Sequence, residues 1–319
     1  MIEVEYQQAR LQLQPNESVL EALERGGHKI PNSCRKGLCH ACLMQTGGAV
    51  PAAAQQGLNE SQCQQGYFLA CSCYPRESLS VSLPARDSLL QAVVQNKRML
   101  NQTVLELTLQ AAVRWQPGQN VLLWKNTLLG RPYSIASHSL RDGCLVLHIL
   151  LHRHGQLSRW CHEQLQVGAT VALSPPDGNC TYDIQDAQKP LLLVAASTGL
   201  APVYGIVQEA LARGHRAAID LYAVAEQAED LYLRAELAQL AQQYPQLNYY
   251  PVIQRGADAT ALVGDAADLI ARRHPALRGS KVYLCGTPQV VEALHKRCFL
   301  AGANRADIVT DPFVTGHEP

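Results

Sequence analysis

The sequence has no excess of charge of either sign, which removes one class of partner at the outset. Its 319 residues include 27 basic and 27 acidic side chains, so the formal net charge is zero. A nucleic-acid-binding surface needs a basic patch or stripe, and we therefore expect no nucleic acid partner.

Long hydrophobic runs are also missing. The most apolar stretch, residues 190–207, contains two prolines and a Ser-Thr-Gly break, which favours a strand, a loop and a helix over a membrane span. The N-terminus begins with a charged, alternating segment and lacks the pattern of a signal peptide. We therefore expect a cytoplasmic protein whose 11 cysteines stay reduced. The length suits two or three domains.

What the sequence does contain is a group of cysteines near its N-terminus. Cys34, Cys39 and Cys42 lie within nine residues, and Cys71 and Cys73 follow later. Gaps of four residues, two residues and then a long return are typical of the thiolates of a plant-type 2Fe–2S cluster. Structural zinc also takes four thiolates, but zinc ribbons usually carry two Cys-x-x-Cys pairs, and only one is present here. The pattern alone does not choose between Cys71 and Cys73, because residues two apart face the same side of a strand.

Residues 1–84 resemble a plant-type ferredoxin domain. An alternating hairpin over residues 2–13 and a capping box at Ser18 fit its β-grasp (α+β) fold. In that family the fourth cysteine closes a Gly-Tyr-hydrophobic-Leu-Ala-Cys run, which ends here at Cys71. His40 stands where the family commonly has glycine. The resemblance implies that the cluster ligands are Cys34, Cys39, Cys42 and Cys71.

Short alternating segments with turn signals, from about residue 89 to residue 182, predict an antiparallel β-barrel after a linker at 83–88. Within them, Arg-Pro-Tyr-Ser at 131–134 follows a Pro-Gly-Gln turn and precedes a predicted strand at 145–151. This order resembles the FAD domain of the ferredoxin–NADP reductase superfamily, so we predict that residues 85–187 bind FAD. The sequence departs from the superfamily at Leu150, where a basic residue is common, and at His154, where glycine is usual. These two departures leave FMN as the alternative to FAD.

The resemblance implies specific roles in the predicted FAD domain. Arg131 would pair with the FAD pyrophosphate through its guanidinium group. Tyr133 would flank the isoalloxazine ring or the adjoining chain, and the Ser134 hydroxyl would lie near flavin N5. The other predicted FAD contacts are His148, Gly155 and Ser158, the last two at a helix start. A metal site at the neighbouring histidines is a weaker hypothesis because no matching carboxylate accompanies them; they are His152, His154 and His162.

From Lys189 onward, strands and helices alternate, which predicts a doubly wound α/β domain over residues 188–319. The turn at 196–202 and the Cys-Gly-Thr-Pro motif at 285–288 resemble the nicotinamide nucleotide motifs of the same superfamily. The resemblance implies that Thr198 and Gly199 hold the nicotinamide end and its pyrophosphate. It also implies that Cys285, with Gly286 after it, lies beside the nicotinamide C4; a buried strand-end thiol is the alternative.

Two further predictions concern this domain. The loop that begins at Glu226 also holds Glu229 and Asp230 and contains no Arg or Lys up to residue 230. A 2′-phosphate would be repelled there, so we expect NADH rather than NADPH as the electron donor. Phe313 stands near the C-terminus, where related oxygenase reductases place a Phe over the flavin, with a surface tail as the alternative.

The order of ferredoxin, FAD barrel and NAD domain resembles the reductase components of bacterial oxygenases, such as benzoate dioxygenase and phenol hydroxylase reductases. The resemblance implies an NADH-dependent oxidoreductase in which a hydride passes to FAD and electrons pass singly to the 2Fe–2S cluster. They would continue to a terminal oxygenase component or another electron-acceptor protein. Ser134 and Cys285 would be the catalytic residues beside the reacting atoms. A reductase for a deoxysugar dehydrase, and a redox-sensing or carrier protein with little turnover, are the alternatives.

Overall fold

The computed structural model describes residues 1–85, 89–138 and 143–314, and three β-sheets follow one another along the chain. The predicted linker at 83–88 lies partly outside the described residues, since 86–88 are not among them. Among the described residues, no helix combines the length and the apolar character that crossing a membrane requires.

The N-terminal sheet has the strand order β2-β1-β5-β3-β4, with β1 antiparallel to β2 and parallel to β5. Its strands are β1 (Glu3–Tyr6), β2 (Ala9–Gln12), β3 (Leu43–Thr46), β4 (Tyr67–Leu69) and β5 (Leu79–Ser82), and its helices are α1 (Val19–Arg25) and α2 (Glu60–Gln64). The capping box is present at the start of α1, because the Ser18 hydroxyl accepts the Glu21 N–H and the Glu21 carboxylate accepts the Ser18 N–H. Leu20 and Leu23 of α1 share the buried core with Phe68. The predicted β-grasp fold is confirmed.

The second sheet is a six-stranded antiparallel barrel with the order β10-β7-β6-β11-β8-β9. Its strands are β6 (Leu90–Met99), β7 (Val104–Ala111), β8 (Asn120–Trp124), β9 (Gly130–Ser134), β10 (Leu145–Leu150) and β11 (Thr170–Leu173), and α3 (Gln156–Glu163) follows β10. The barrel closes because Ile135 bridges to Leu147 and the Ala136 N–H donates to the Val146 carbonyl. Closure leaves little free strand edge, and the predicted barrel is confirmed.

The third sheet has six parallel strands in the order β15-β14-β13-β12-β16-β17. Its strands are β12 (Leu191–Ala196), β13 (Ile219–Ala225), β14 (Leu247–Ile253), β15 (Leu262–Val263), β16 (Lys281–Gly286) and β17 (Ile308–Pro312), and its helices are α4 (Leu200–Ala212), α5 (Arg234–Gln243), α6 (Ala266–Arg273) and α7 (Pro288–Leu300). Every residue of β12 is buried, as expected for a strand covered on both faces. The order reverses between β12 and β16, which opens a crevice at their carboxyl ends. The predicted doubly wound fold is confirmed.

Strand β17 is an element that is missing from the predictions made above. It pairs in parallel with β16, so that Asp311 lies opposite Cys285. The Phe313 N–H then donates to the Gly286 carbonyl at 2.7 Å. This edge strand brings the C-terminal segment back to the crevice of the α/β sheet.

The packing of Gly118 gives a stability prediction. Gly118 has φ of 89°, and an added Cβ would overlap the carbonyl oxygen of Cys180. We expect Gly118→Ala to lower the free energy of unfolding by about 3 kcal/mol, because it adds a steric overlap to the cost of a left-handed conformation. Gly168→Ala is the matched control, since Gly168 has φ of 87° and no atom within 4 Å of the added Cβ.

The apparent midpoint of urea unfolding would measure both effects. We expect the control to lose only about 1 kcal/mol, the cost of its φ angle. Equal losses in the two variants would show that the contact with Cys180 contributes nothing.

Candidate functional site

A cavity of about 460 Å³ opens where the three domains meet, and we call it the central cavity. The ferredoxin-like domain contributes Cys34 and Cys39 to its wall, together with Ser33. Eight residues predicted to bind FAD or the nicotinamide nucleotide also line it: Arg131, Tyr133, Ser134, His148, Gly155, Ser158, Thr198 and Phe313. Residues that are far apart in the sequence and predicted to serve three different groups therefore face a single space.

Six predicted residues, all within the described part of the chain, do not line the central cavity: the cluster ligands Cys42 and Cys71, and Gly199, Glu226, Cys285 and Gly286. An added Cβ on Gly199 would overlap the Cys285 carbonyl oxygen, and one on Gly286 would lie 2.6 Å from the Ala196 carbonyl oxygen. Both positions therefore require glycine for the close approach of β12 and β16. The Cys285 side chain is buried, and its Sγ lies 3.7 Å from Cys180 Sγ.

The loop that carries the first three cysteines, residues 32–42, is called the cysteine loop below. Backbone N–H groups of this loop point at sulfur atoms. Cys34 Sγ accepts the N–H groups of Lys36, Leu38 and Cys39 at 3.3–3.4 Å. The Gly37 N–H donates to Cys71 Sγ at 3.3 Å, and Gly37 has the positive φ, 73°, that such a tight loop needs. These dipoles stabilise negative charge on sulfur.

The sulfur atoms of the four predicted ligand cysteines influence one another as two pairs, Cys34 with Cys39 and Cys42 with Cys71. The Cys39 thiol, followed by the loop N–H groups, lowers the pKa of Cys34 to about 5. The Cys42 thiol, followed by the Ser72 hydroxyl and the Gly37 N–H, lowers the pKa of Cys71 to about 6. The pKa of Cys39 and that of Cys42 are raised, first by the partner sulfur and then by burial. The surroundings therefore favour the thiolate at Cys34 and Cys71.

This pairing fits a binuclear cluster better than a single zinc ion. Zinc requires four sulfurs about 2.3 Å from one ion. Among the described residues, no group of three or more His, Cys, Asp or Glu side chains is arranged to hold one metal ion. Two separate thiol pairs suit a core with two irons, each bound by one pair.

Cys73 has different surroundings from Cys71. It is fully buried in the apolar core with Phe68 and Leu69, and burial raises its pKa to about 12. Residues 70–72 form a 3₁₀ turn rather than a strand, so the expectation that Cys71 and Cys73 face the same side is wrong. The turn brings Cys71 to the Gly37 N–H and leaves Cys73 in the core.

The wall of the central cavity contains two polar atoms that need a partner. Among the described residues, Ser33 Oγ and His148 Nε2 are buried without a hydrogen-bond partner. His148 Nδ1 lies 3.2 Å from the Tyr232 hydroxyl, and burial lowers the pKa of the imidazole to about 3, so the ring is neutral. Unsatisfied buried polar atoms on the wall of a ligand-sized cavity indicate that a polar molecule completes their bonding.

The same wall can hold a flavin nucleotide. The Arg131 guanidinium lies at the cavity, where Nη1 donates to the Asn32 and Gly130 carbonyls at 3.1 and 3.0 Å. Helix α3 begins directly after Gly155, and an added Cβ on Gly155 would overlap Ser158 Oγ. A cation and a helix N-terminus on one wall are the groups that bind pyrophosphate.

Sequence reasoning missed Asp311, which lies against a predicted catalytic residue. Ser134 Oγ donates to Asp311 Oδ2 at 2.8 Å. Burial raises the pKa of Asp311 to about 6, and the hydrogen bond from Ser134 opposes that shift. The β-branched run at 308–310 was the available signal, because it predicts a strand that carries Asp311 back to the sheet.

Sequence reasoning also missed a cation beside Glu226. The Glu226 carboxylate forms an exposed ion pair with Arg255 at 3.1 Å. The two loops are joined because the Arg255 N–H donates to the Glu226 carbonyl at 2.9 Å and the Gln254 N–H to the Ala225 carbonyl at 3.1 Å. Arg255 follows the neighbouring parallel strand, so no local pattern around Glu226 indicates it.

Comparisons with protein families divide the chain in the same order as the three sheets. Residues 2–76 match the 2Fe-2S iron-sulfur cluster binding domain, residues 91–182 the oxidoreductase FAD-binding domain, and residues 193–296 the oxidoreductase NAD-binding domain.

Similar proteins share this organisation over nearly their whole length. The reductase component of the naphthalene 1,2-dioxygenase system of Pseudomonas putida, a ferredoxin–NAD(P)⁺ reductase, is 30% identical, and the match covers 94% of each chain. The reductase subunit of an aromatic O-demethylase of an Amycolatopsis species is 31% identical over 89% of this chain and 90% of its own. Among solved structures, an Amycolatopsis cytochrome P450 reductase superposes with a TM-score of 0.70 at 28% identity, covering 98% of this chain and 99% of the other.

The different surroundings of Cys71 and Cys73 lead to a matched pair of variants. We expect Cys71→Ser to abolish the visible iron–sulfur absorption, because it removes a sulfur that faces the cysteine loop. We expect Cys73→Ser to keep that absorption and to lower the free energy of unfolding by roughly 1–3 kcal/mol, since it buries a hydroxyl in an apolar core. Absorption spectra and iron content of the purified variants would measure this. Loss of the cluster in Cys73→Ser alone would reverse the ligand assignment.

Proposed function

We propose a function for this chain, which belongs to the family of ferredoxin–NAD(P)⁺ reductase components with 2Fe-2S, FAD-binding and NAD-binding domains. It passes electrons from NADH through FAD and a 2Fe–2S cluster to the terminal component of an oxygenase system. The observation that carries this proposal is the central cavity, which takes wall residues from all three domains. The names of the naphthalene dioxygenase and O-demethylase relatives support an oxygenase component as the electron acceptor.

In this proposal the chain positions the groups that react. The chemistry that bound FAD supplies is to accept a hydride and to release electrons one at a time. Arg131 and the start of α3 hold the pyrophosphate, and Tyr133 and Ser134 contact the flavin ring. The unsatisfied His148 Nε2 forms a hydrogen bond with the same ligand. Cys34, Cys39, Cys42 and Cys71 hold the cluster, and the first two reach the cavity wall.

The nicotinamide nucleotide occupies the crevice between β12 and β16. Thr198 and Gly199 follow β12, and Cys285 and Gly286 end β16, so the four residues lie at the switch point where α/β sheets bind nucleotides. Phe313, held by its N–H on the Gly286 carbonyl, covers the flavin on this side of the cavity.

Glu226 and Arg255 favour NADH as the donor. Glu226 follows β13, where the adenosine ribose is bound in sheets of this kind. Its carboxylate repels a 2′-phosphate and also pairs with Arg255, the cation that a 2′-phosphate would otherwise meet. Removal of one carboxylate therefore changes both the repulsion and the availability of Arg255.

Cofactor content and turnover together test the proposed function. The purified protein is expected to contain FAD and a 2Fe–2S cluster in equal amounts and to catalyse many turnovers of NADH-dependent cytochrome c reduction. A protein that contains no flavin or no cluster would contradict the proposal. Intact cofactors without sustained turnover would instead support a redox-sensing or carrier role.

The Ser134–Asp311 hydrogen bond predicts a pH-dependent step. Above the pKa of Asp311, about 6, the carboxylate accepts a hydrogen bond from the Ser134 hydroxyl. Below it, the carboxylic acid donates to Ser134 Oγ, which frees the serine O–H to point into the cavity. We therefore expect NADH-dependent flavin reduction to speed up as the pH falls through about 6, and Asp311→Asn to lose this dependence. Anaerobic stopped-flow at several pH values would measure the rate.

Ser134→Ala removes the hydroxyl itself, and we expect it to slow flavin reduction roughly 100-fold below pH 6, where the hydroxyl is free to enter the cavity, the scale of losing one well-placed donor. Ser137→Ala is the matched control, because Ser137 is a buried serine of the same barrel whose Oγ accepts the Val146 N–H. A pH profile that survives in Asp311→Asn, or equal slowing in both serine variants, would contradict the assigned role.

Coenzyme preference gives a separate prediction. We expect the unmodified protein to have the higher kcat/KM with NADH, and Glu226→Ser to raise kcat/KM for NADPH about tenfold by removing a repulsive charge and freeing Arg255. The double variant Glu226→Ser/Arg255→Ala should lose most of that gain. Glu229→Ser is the control for loop charge in general, since Glu229 is an exposed acid of the same loop. Equal gains in Glu226→Ser and Glu229→Ser would show that the Glu226–Arg255 pair does not select the coenzyme.

A further inference from the structure

The cysteine loop is seated on the barrel by an apolar contact. Cys34, Cys39 and Ala41 are buried together with Leu122 of β8, and Trp124 packs against them. Because Cys34 and Cys39 also line the central cavity, this contact fixes how far their side chains stand from the barrel residues on the opposite wall. A small tilt of the loop on β8 would change that separation directly.

A polar contact crosses the same interface next to the cysteines. His40 Nδ1, one residue after Cys39, lies 3.4 Å from Asp177 Oδ2 of the barrel. The His40 side chain is only 21% exposed. Its backbone has φ of 56°, in the left-handed region, where histidine, asparagine and aspartate are the residues other than glycine that occur most often. The loop is therefore bent so that the imidazole faces the barrel.

Asp177 is rigidly held on the barrel side. Its backbone forms a two-way bridge with Asn120, with N···O distances of 2.7 and 2.9 Å. Its Oδ1 accepts the Gly178 N–H at 2.8 Å, which leaves Oδ2 directed at His40. The carboxylate is thus oriented by its own loop before the cysteine loop meets it.

The His40–Asp177 contact is also separate from the proposed cofactor contacts. His40 and Asp177 line a second cavity of about 320 Å³ between the cysteine loop and the barrel, and neither residue lines the central cavity. Another polar contact across the interface, from Arg131 to the Asn32 carbonyl, involves a residue proposed to bind FAD. A change at His40 or Asp177 can therefore alter docking without removing a proposed flavin or cluster ligand.

We propose that His40 and Asp177 are positioning residues that hold the cysteine loop in its seat on the barrel and thereby set the rate of electron transfer from the flavin to the cluster. This inference rests on the proposed function. The step concerned moves one electron out of the reduced flavin and into the oxidised cluster, and no bond forms or breaks at either residue. Hydride uptake from NADH takes place on the other side of the cavity and is independent of the contact.

The test compares side-chain deletions at both ends of the His40–Asp177 contact, in protein that contains FAD and the cluster. His40→Gly removes the imidazole and accepts the positive φ, and Asp177→Ala removes the carboxylate. Anaerobic stopped-flow with NADH would follow the flavin and cluster bands separately. We expect each variant to reduce its flavin at the normal rate and its cluster about fivefold more slowly, since the loss of a partly exposed contact between an imidazole and a carboxylate changes the docked population by about that factor.

A conservative variant and a double variant separate positioning from a general weakening of the fold. His40→Asn keeps a side-chain donor near the place of Nδ1 and tolerates the left-handed backbone, so it should restore most of the rate. The double variant His40→Gly/Asp177→Ala should be no slower than either single variant, because the two changes remove one interaction. Additive losses, or a His40→Asn variant as slow as His40→Gly, would overturn the proposal.

Hydrogen–deuterium exchange of the protein with FAD and the cluster bound measures how firmly the cysteine loop is docked on the barrel, independently of electron transfer. We expect faster exchange in segments 32–42 and 119–123 of both deletion variants, with the visible and EPR spectra of the cluster unchanged. Normal exchange and a normal rate of cluster reduction in both variants would refute the positioning role. Failure of NADH to reduce the flavin of the unmodified protein would instead refute the proposed function, and the exchange comparison would still report on the contact.

Discussion

Electron transfer between groups held by different domains requires that those domains keep a fixed distance and orientation. The packing of the cysteine loop on strand β8 provides this. Leu122 and Trp124 of the barrel pack against Cys39 and Ala41, so a proposed cluster ligand is part of the domain interface itself. Apolar packing of this kind has no preferred direction. The directional contacts at its border, from Arg131 to Asn32 and from His40 to Asp177, define how the loop lies.

The α/β domain completes the cavity by a different route. Its edge strand β17 runs beside β16 and carries Asp311 and Phe313 to the wall that the barrel and the cysteine loop already form. Ser134 and Asp311 then meet across the boundary between the barrel and the α/β domain. A buried carboxyl beside a serine is a costly arrangement that persists only where the surrounding structure fixes it, and here three packed domains fix it.

Local patterns in the sequence predict most of the fold. Alternating polarity predicts the hairpin β1–β2 and the barrel strands, the Ser18 capping box predicts α1, and the continuous apolar run at 191–194 predicts the buried strand β12. Spacing also indicates the cysteine loop, because three ligands within nine residues form a local arrangement. The family resemblance supplies the residues on the barrel wall, which the structure brings to one cavity.

The contacts that sequence patterns do not predict all join distant parts of the chain. Ser134 and Asp311 are 177 residues apart, and the His40–Asp177 pair joins two domains. Arg255 reaches Glu226 only because β13 and β14 are neighbours in a parallel sheet. Such pairs depend on how the folded domains and neighbouring strands pack, and the spacing of residues within one segment does not specify them.

In the proposed route, one cavity connects the nicotinamide crevice to the cluster through the flavin. Anaerobic rapid mixing of the unmodified protein with NADH, followed at flavin and iron–sulfur wavelengths, would test this route. We expect the flavin band to decay first and the cluster band to decay afterwards in the same protein molecules. Reduction of the cluster before the flavin, or a reduced flavin beside a cluster that stays oxidised, would contradict it.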